Sequence, residues 1–108
     1  MRAARTDANH AAIVKALRDY GCEVQSLAMV GAGVPDLLIL TPPDLNGERR
    51  LGLIEVKDGK KPPSARAKTE DQVKWWDKWQ GAPMALVTDV EGALRFVRVL
   101  TFGFDFGK

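Results

Sequence analysis

Hydrophobic positions recur along the chain in two different periods, and the switch between them predicts the elements. His10, Ile13, Val14 and Leu17 fall at helical spacing within residues 7–20, with Thr6 or Asp7 as the cap and Gly21 as the stop. Residues 22–30 read as a strand. Gly31, Gly33 and Pro35 then break the chain before a short apolar run, residues 36–40, that reads as a buried strand. Residues 41–50 contain Pro42-Pro43 and Asn46-Gly47, a turn composition, and lead into another strand over residues 51–57. Two strands joined by so short a connection predict a hairpin.

A polar, basic loop occupies residues 58–68. The next helix begins at a capping box, Thr69-Glu70-Asp71-Gln72, and runs to about Trp79 before Gly81 stops it. Residues 84–88 form a short strand and 89–94 a helical turn, while 94–100 fit strand or helix equally. Phe102, Phe104 and Phe106 alternate at the end. The order α-β-β-β-α-β predicts a layered α/β domain with a mixed β-sheet flanked by helices.

At 108 residues, 45% hydrophobic and 28% charged, the chain supports one core, so a single domain over 1–108 is expected. The lone Cys22 excludes an internal disulfide framework, and no apolar run reaches eighteen residues. A soluble, untargeted, cytoplasmic protein with no membrane partner is the expectation. A net charge of +2 is too small to identify a polyanion partner, so the placement of charge matters more than its total.

Polar residues interrupt the apolar hairpin at three places: Asp36 at the mouth of one strand, Glu55 and Lys57 within the next. Residues two apart on a strand share a face, so Glu55 and Lys57 project together and Val56 points away. If Leu40 pairs with Leu51, the same antiparallel register sets Asp36 opposite Glu55. Directly opposed side chains have Cβ atoms roughly 4.5–5.5 Å apart, where like charges repel unless a cation intervenes. Two carboxylates suit Mg²⁺ or Mn²⁺, and the Lys57 ammonium can orient an attacking water or stabilise transition-state charge. Phosphodiester hydrolysis uses all three groups. The same spacing also fits an exposed cross-strand ion pair, with Asp36 merely following Pro35 in a turn.

Gly33-Val34-Pro35-Asp36-Leu37-Leu38 followed by Leu53-Ile54-Glu55-Val56-Lys57 resembles the signature of the PD-(D/E)xK nuclease superfamily. The continuation Lys68-Thr69-Glu70-Asp71-Gln72 before Trp75-Trp76 resembles its VRR-NUC branch, in particular the small stand-alone phage and bacterial forms. The resemblance spans residues 7–88 and implies a restriction-endonuclease-like core and a Mg²⁺- or Mn²⁺-dependent deoxyribonuclease acting on junctions, flaps or ends. It implies that Asp36 and Glu55 bind the metal with the Val56 carbonyl, that Lys57 is catalytic, and that Gln72 points toward the centre. Members of that family often carry an acidic residue in the first helix, and the corresponding position here is Ala12. His10 or Asn9 acting through water, weaker metal binding, or a non-catalytic nucleic-acid-binding module are the open consequences.

Lys57, Lys60, Lys61, Arg66 and Lys68 face Asp58 alone over residues 57–68, an excess of four positive charges. Beside a metal site they would contact DNA phosphates, with strong salt dependence; otherwise they belong to a solvated loop. Trp75, Trp76 and Trp79 share one side of their helix and can stack bases or pack against the sheet, with core packing the expectation. Gly31 and Gly33 fit close approach to a phosphate or a simple turn. The alternating phenylalanines predict a tail tucked in or shared with a second subunit, hence a homodimer.

Overall fold

The computed structural model describes residues 9–104, apart from the side chains of Ala65 and Arg66. Thr6, Asp7 and Phe106 therefore lie outside the described residues, as does the Arg66 side chain. The elements are α1 (His10–Tyr20), β1 (Glu23–Ser26), β2 (Leu37–Leu40), β3 (Leu51–Val56), α2 (Pro63–Arg66), α3 (Glu70–Lys78), β4 (Met84–Val87) and α4 (Val90–Phe102). Gly21 stops α1 in the left-handed conformation, with its N–H returned to the Arg18 and Leu17 carbonyls.

Three elements differ from the reading of the sequence. β1 ends at Ser26 rather than near Val30, because Val30 folds back to donate to the Leu27 carbonyl at 3.0 Å and Gly31, Ala32 and Gly33 all take positive φ. α2 is a single turn within the basic loop, opened by Pro63, whose missing N–H costs nothing at that position. The ambiguous 94–100 segment continues the helical turn before it as one helix, capped by the Asp89 carboxylate on the Gly92 N–H at 2.7 Å. Its β-branched residues do not divert it into a strand, because Ala93, Val97 and Thr101 recur at helical spacing and all bury.

The four strands lie in the order β1-β2-β3-β4, with β1/β2 and β2/β3 antiparallel and β3/β4 parallel. Leu40 pairs with Leu51 and Leu37 with Ile54, the register expected from the hairpin. The pleat then sorts side chains onto two faces. On one face Leu37, Ile39, Ile54, Val56 and Val87 meet Ile13 and Leu17 of α1 and Ala93 and Val97 of α4, forming the core. Gly52 lies on that face, where an added Cβ would come 2.8 Å from Leu100 and 3.1 Å from Phe96, so α4 rests directly against the backbone of β3. The second face carries Leu38, Leu40, Leu51, Leu53 and Met84, together with Glu55, which Gln72 of α3 contacts. The fold is thus a mixed α/β sheet between α1/α4 and α3. No helix among the described residues is long and apolar enough to cross a membrane.

Ile54 is fully buried and directly precedes Glu55. Ile54→Ala should lower unfolding free energy by about 2–5 kcal/mol. Leu45→Ala, at a residue 98% exposed, should change it by less than about 0.5 kcal/mol. Urea denaturation of the two variants checks this contrast.

Candidate functional site

Asp36 immediately precedes the Leu37–Ile54 pair and Glu55 immediately follows it, so the hairpin register brings the two carboxylates to the same end of the sheet. Asp36 Oδ2 accepts the Val56 N–H at 2.8 Å. This bond continues the ladder by one rung with a side chain in place of a carbonyl. It also ties Asp36 to Val56, the residue whose carbonyl was expected to serve as a ligand.

Glu55 is 3% exposed and Lys57 9%, which removes the reading of an exposed, decorative ion pair. The Lys57 ammonium lies 3.4 Å from Glu55 Oε2. Glu55 Oε1 is buried with no hydrogen-bond partner. Burial, and secondarily the negative charge of Asp36, push the Glu55 carboxyl up to about 7, against the opposing pull of Lys57 and Gln72.

Gln72 completes the capping box and reaches Glu55 and Lys57 with the same amide. Its Oε1 accepts the Thr69 N–H at 2.9 Å while Thr69 Oγ1 accepts the Gln72 N–H at 3.2 Å, completing the capping box. The same Oε1 accepts from Lys57 Nζ at 3.0 Å, and Nε2 donates to Glu55 Oε2 at 2.9 Å. An amide suits this position because it presents an acceptor to the ammonium and a donor to the carboxylate at once. The first turn of α3 reaches the site because Gly33 clears the way. A Cβ at Gly33 would stand 2.2 Å from the Asp71 carbonyl oxygen, so close approach to a helix backbone explains this glycine.

Asn9, a candidate for water-mediated support of the metal site, bonds instead to two backbone carbonyls. Its Nδ2 donates to the Lys57 carbonyl at 3.0 Å and to the Thr88 carbonyl at 2.6 Å, clamping the ends of β3 and β4 together. A polar residue at the helix entry was the only available signal. Ala12 is exposed on α1 and His10 Nε2 is buried without a partner. Lys60 and Lys61 are exposed on the loop beyond Lys57, and Lys68 places its ammonium 3.8 Å above the Trp76 ring.

Core packing of the three tryptophans is overturned. α3 has no buried residue, Trp75 and Trp76 are half-buried, and Trp79 is 51% exposed. The physical reason is that α1 and α4 already occupy the core face of the sheet, leaving α3 the outer face. Of the three phenylalanines, Phe102 ends α4 half-buried and Phe104 is 60% exposed.

The donor set at this end of the sheet fits a hard divalent cation. Glu55 Oε1 lacks any partner, and Asp36 lies near enough to raise the Glu55 carboxyl. Among the described residues no three His, Cys, Asp or Glu side chains gather, so two carboxylates are what these residues offer. Mg²⁺ commonly takes one or two carboxylates and fills its remaining positions with water and phosphate oxygens.

Comparison of the chain with protein-family models, with curated proteins and with solved structures gives no match in any of the three.

The raised Glu55 carboxyl makes stability depend on pH. Between its unfolded value of 4.5 and its folded value of about 7, the folded protein holds a proton that the unfolded chain has lost. That contribution is fully present below 4.5 and disappears as pH rises through about 7. In EDTA, the melting temperature of the native protein should therefore fall relative to Glu55→Gln across this window. By pH 8 the variant should be the more stable by at least about 4 °C. Parallel Tm-against-pH curves would contradict the assignment.

Proposed function

We propose that this protein is a metal-dependent nuclease of the PD-(D/E)xK type with a restriction-endonuclease-like core, hydrolysing DNA phosphodiester bonds at junctions, flaps or ends. The observation that carries this reading is the buried Glu55 carboxylate. It has one oxygen unpartnered, Asp36 beside it and Lys57 in contact, on the strands where the resemblance to that superfamily expects them. Burying a carboxylate with an unsatisfied oxygen is costly, and a site that does so calls for a cationic ligand.

Asp36, Glu55 and the Val56 carbonyl would hold Mg²⁺ or Mn²⁺. The bound cation would lower the pKa of a water and polarise the phosphoryl oxygen. Lys57 supplies the positive charge that orients the attacking water and offsets the negative charge developing as the phosphorus–oxygen bond breaks. Gln72 fixes the Lys57 ammonium and the Glu55 carboxylate relative to each other, so neither has to reorganise during the reaction. Lys60, Lys61, Arg66 and Lys68 would contact backbone phosphates on either side of the scissile bond.

A second reading is a nucleic-acid-binding module of the same fold without catalysis. It draws on one feature, the pair of carboxylates where a third would be expected at Ala12.

Labelled single-stranded, duplex, flap and four-way-junction DNA, incubated with Mg²⁺, Mn²⁺ or EDTA, separates the two. On the nuclease reading cutting requires metal, and Asp36→Ala, Glu55→Ala and Lys57→Ala each reduce it by about 100-fold or more. DNA binding without metal-dependent cutting would establish the non-catalytic module instead. Mg²⁺ at pH 8 should raise the Tm of the native protein and leave that of Glu55→Gln unchanged. Replacing Lys60 and Lys61 together by alanine should weaken binding to all DNA shapes and flatten the log–log salt slope by about 2.

A further inference from the structure

The tryptophans of α3 form an ordered surface. Trp75 and Trp79 stack with ring centroids 5.0 Å apart and planes inclined by only 10°. Trp79 is 51% exposed, and no residue of α3 is buried. Tryptophan usually contributes its large apolar area to a core, so an indole pair stacked on itself and left open is a surface shaped for another flat ring.

The orientation of this surface follows from Gln72. Its side chain touches Glu55 and Lys57, so the direction in which Gln72 projects from α3 is the direction of the candidate site. At about 100° per residue, Trp79, Trp76 and Trp75 project within about 60° of Gln72. Trp75 and Trp79 stand about 4.5 and 10.5 Å further along the helix axis. Successive stacked bases rise about 3.4 Å along one strand, so the indole pair lies roughly two or three nucleotides from a phosphate held at Glu55 and Lys57. The Lys68 ammonium, 3.8 Å above the neighbouring Trp76 ring, adds a positive charge to the same stripe.

We infer that the Trp75–Trp79 pair is a stacking platform for an unpaired nucleobase, so that this protein takes nucleic acid with a single-stranded stretch two or three nucleotides from the bond it cuts. This rests on the nuclease reading and specifies its substrate. Bases inside a duplex already have both faces covered by their neighbours, whereas an unpaired base has a π-face free to continue the indole stack. Aromatic stacking of this kind tolerates any base, so the platform selects strand structure and not sequence.

The test measures binding in EDTA by anisotropy, using a labelled oligothymidylate and a duplex closed at both ends by non-nucleotide ethylene glycol linkers, with native protein, Trp79→Ala and Trp79→Phe. Trp79→Ala should weaken oligothymidylate binding by about 10-fold or more and leave the closed duplex unaffected, while Trp79→Phe keeps most of the affinity. Unchanged oligothymidylate binding in Trp79→Ala, with native protein still cutting DNA, overturns the platform and leaves the nuclease standing. Unchanged binding together with an altered oligomeric state by light scattering overturns it in favour of a contact between copies of the chain. Failure of native protein to bind or cut any DNA at low salt removes both readings together.

Discussion

The site depends on a carboxylate that the fold buries beside another. Like charges at opposed strand positions repel, and withdrawal from water adds to the cost, so Glu55 is held against two unfavourable effects at once. The surrounding polar contacts reduce that cost without removing it. Lys57 supplies an opposite charge, Gln72 donates to one oxygen, and the Val56 N–H occupies one oxygen of Asp36. The second Glu55 oxygen remains without a partner.

That arrangement sets conditions on distant parts of the chain. Gln72 reaches Glu55 only if Thr69 caps α3 and the helix backbone passes against residue 33, a passage that any side chain would close. Lys57 directly follows β3, and Asn9 keeps the strand ends from fraying by bonding the Lys57 and Thr88 carbonyls together. Each hydrogen bond is worth only about 1 kcal/mol net. The geometry therefore depends on several modest contacts that share atoms, and losing one partner leaves a buried polar group unsatisfied.

The hairpin was legible in its two apolar runs and the turn composition between them, but its register was not, because residues 37–40 and 51–54 offer apolar side chains to either face and leave a one-residue slip open. The capping box was legible for a similar local reason, since Thr69 and Gln72 answer each other's backbone N–H groups. The helical state of 94–100 was not, because Val97 and Val99 favour strands locally and only burial of one stripe against the sheet decides otherwise. The tryptophans were misjudged for a non-local reason. Their hydrophobicity is visible in the sequence, but the prior occupation of the core face by α1 and α4 is not. The roles of Gly33 and Asn9 depend on elements about 40 to 80 residues away and leave no local mark.

The absence of an acidic side chain at position 12 has a consequence on the nuclease reading. Two carboxylates beside one ammonium carry a net charge of about −1, a weaker attraction for a divalent cation than three would give. The deficit is largest in the free protein, where a proton on Glu55 competes for the same oxygen near neutral pH. A bound phosphodiester alters the balance, because its oxygens complete the coordination of a hard cation and its charge offsets the surplus. Binding of cation and nucleic acid is then mutually favourable, and by linkage each strengthens the other by the same factor. A reduced set of ligands, on this view, ties the readiness of the site to the presence of its substrate.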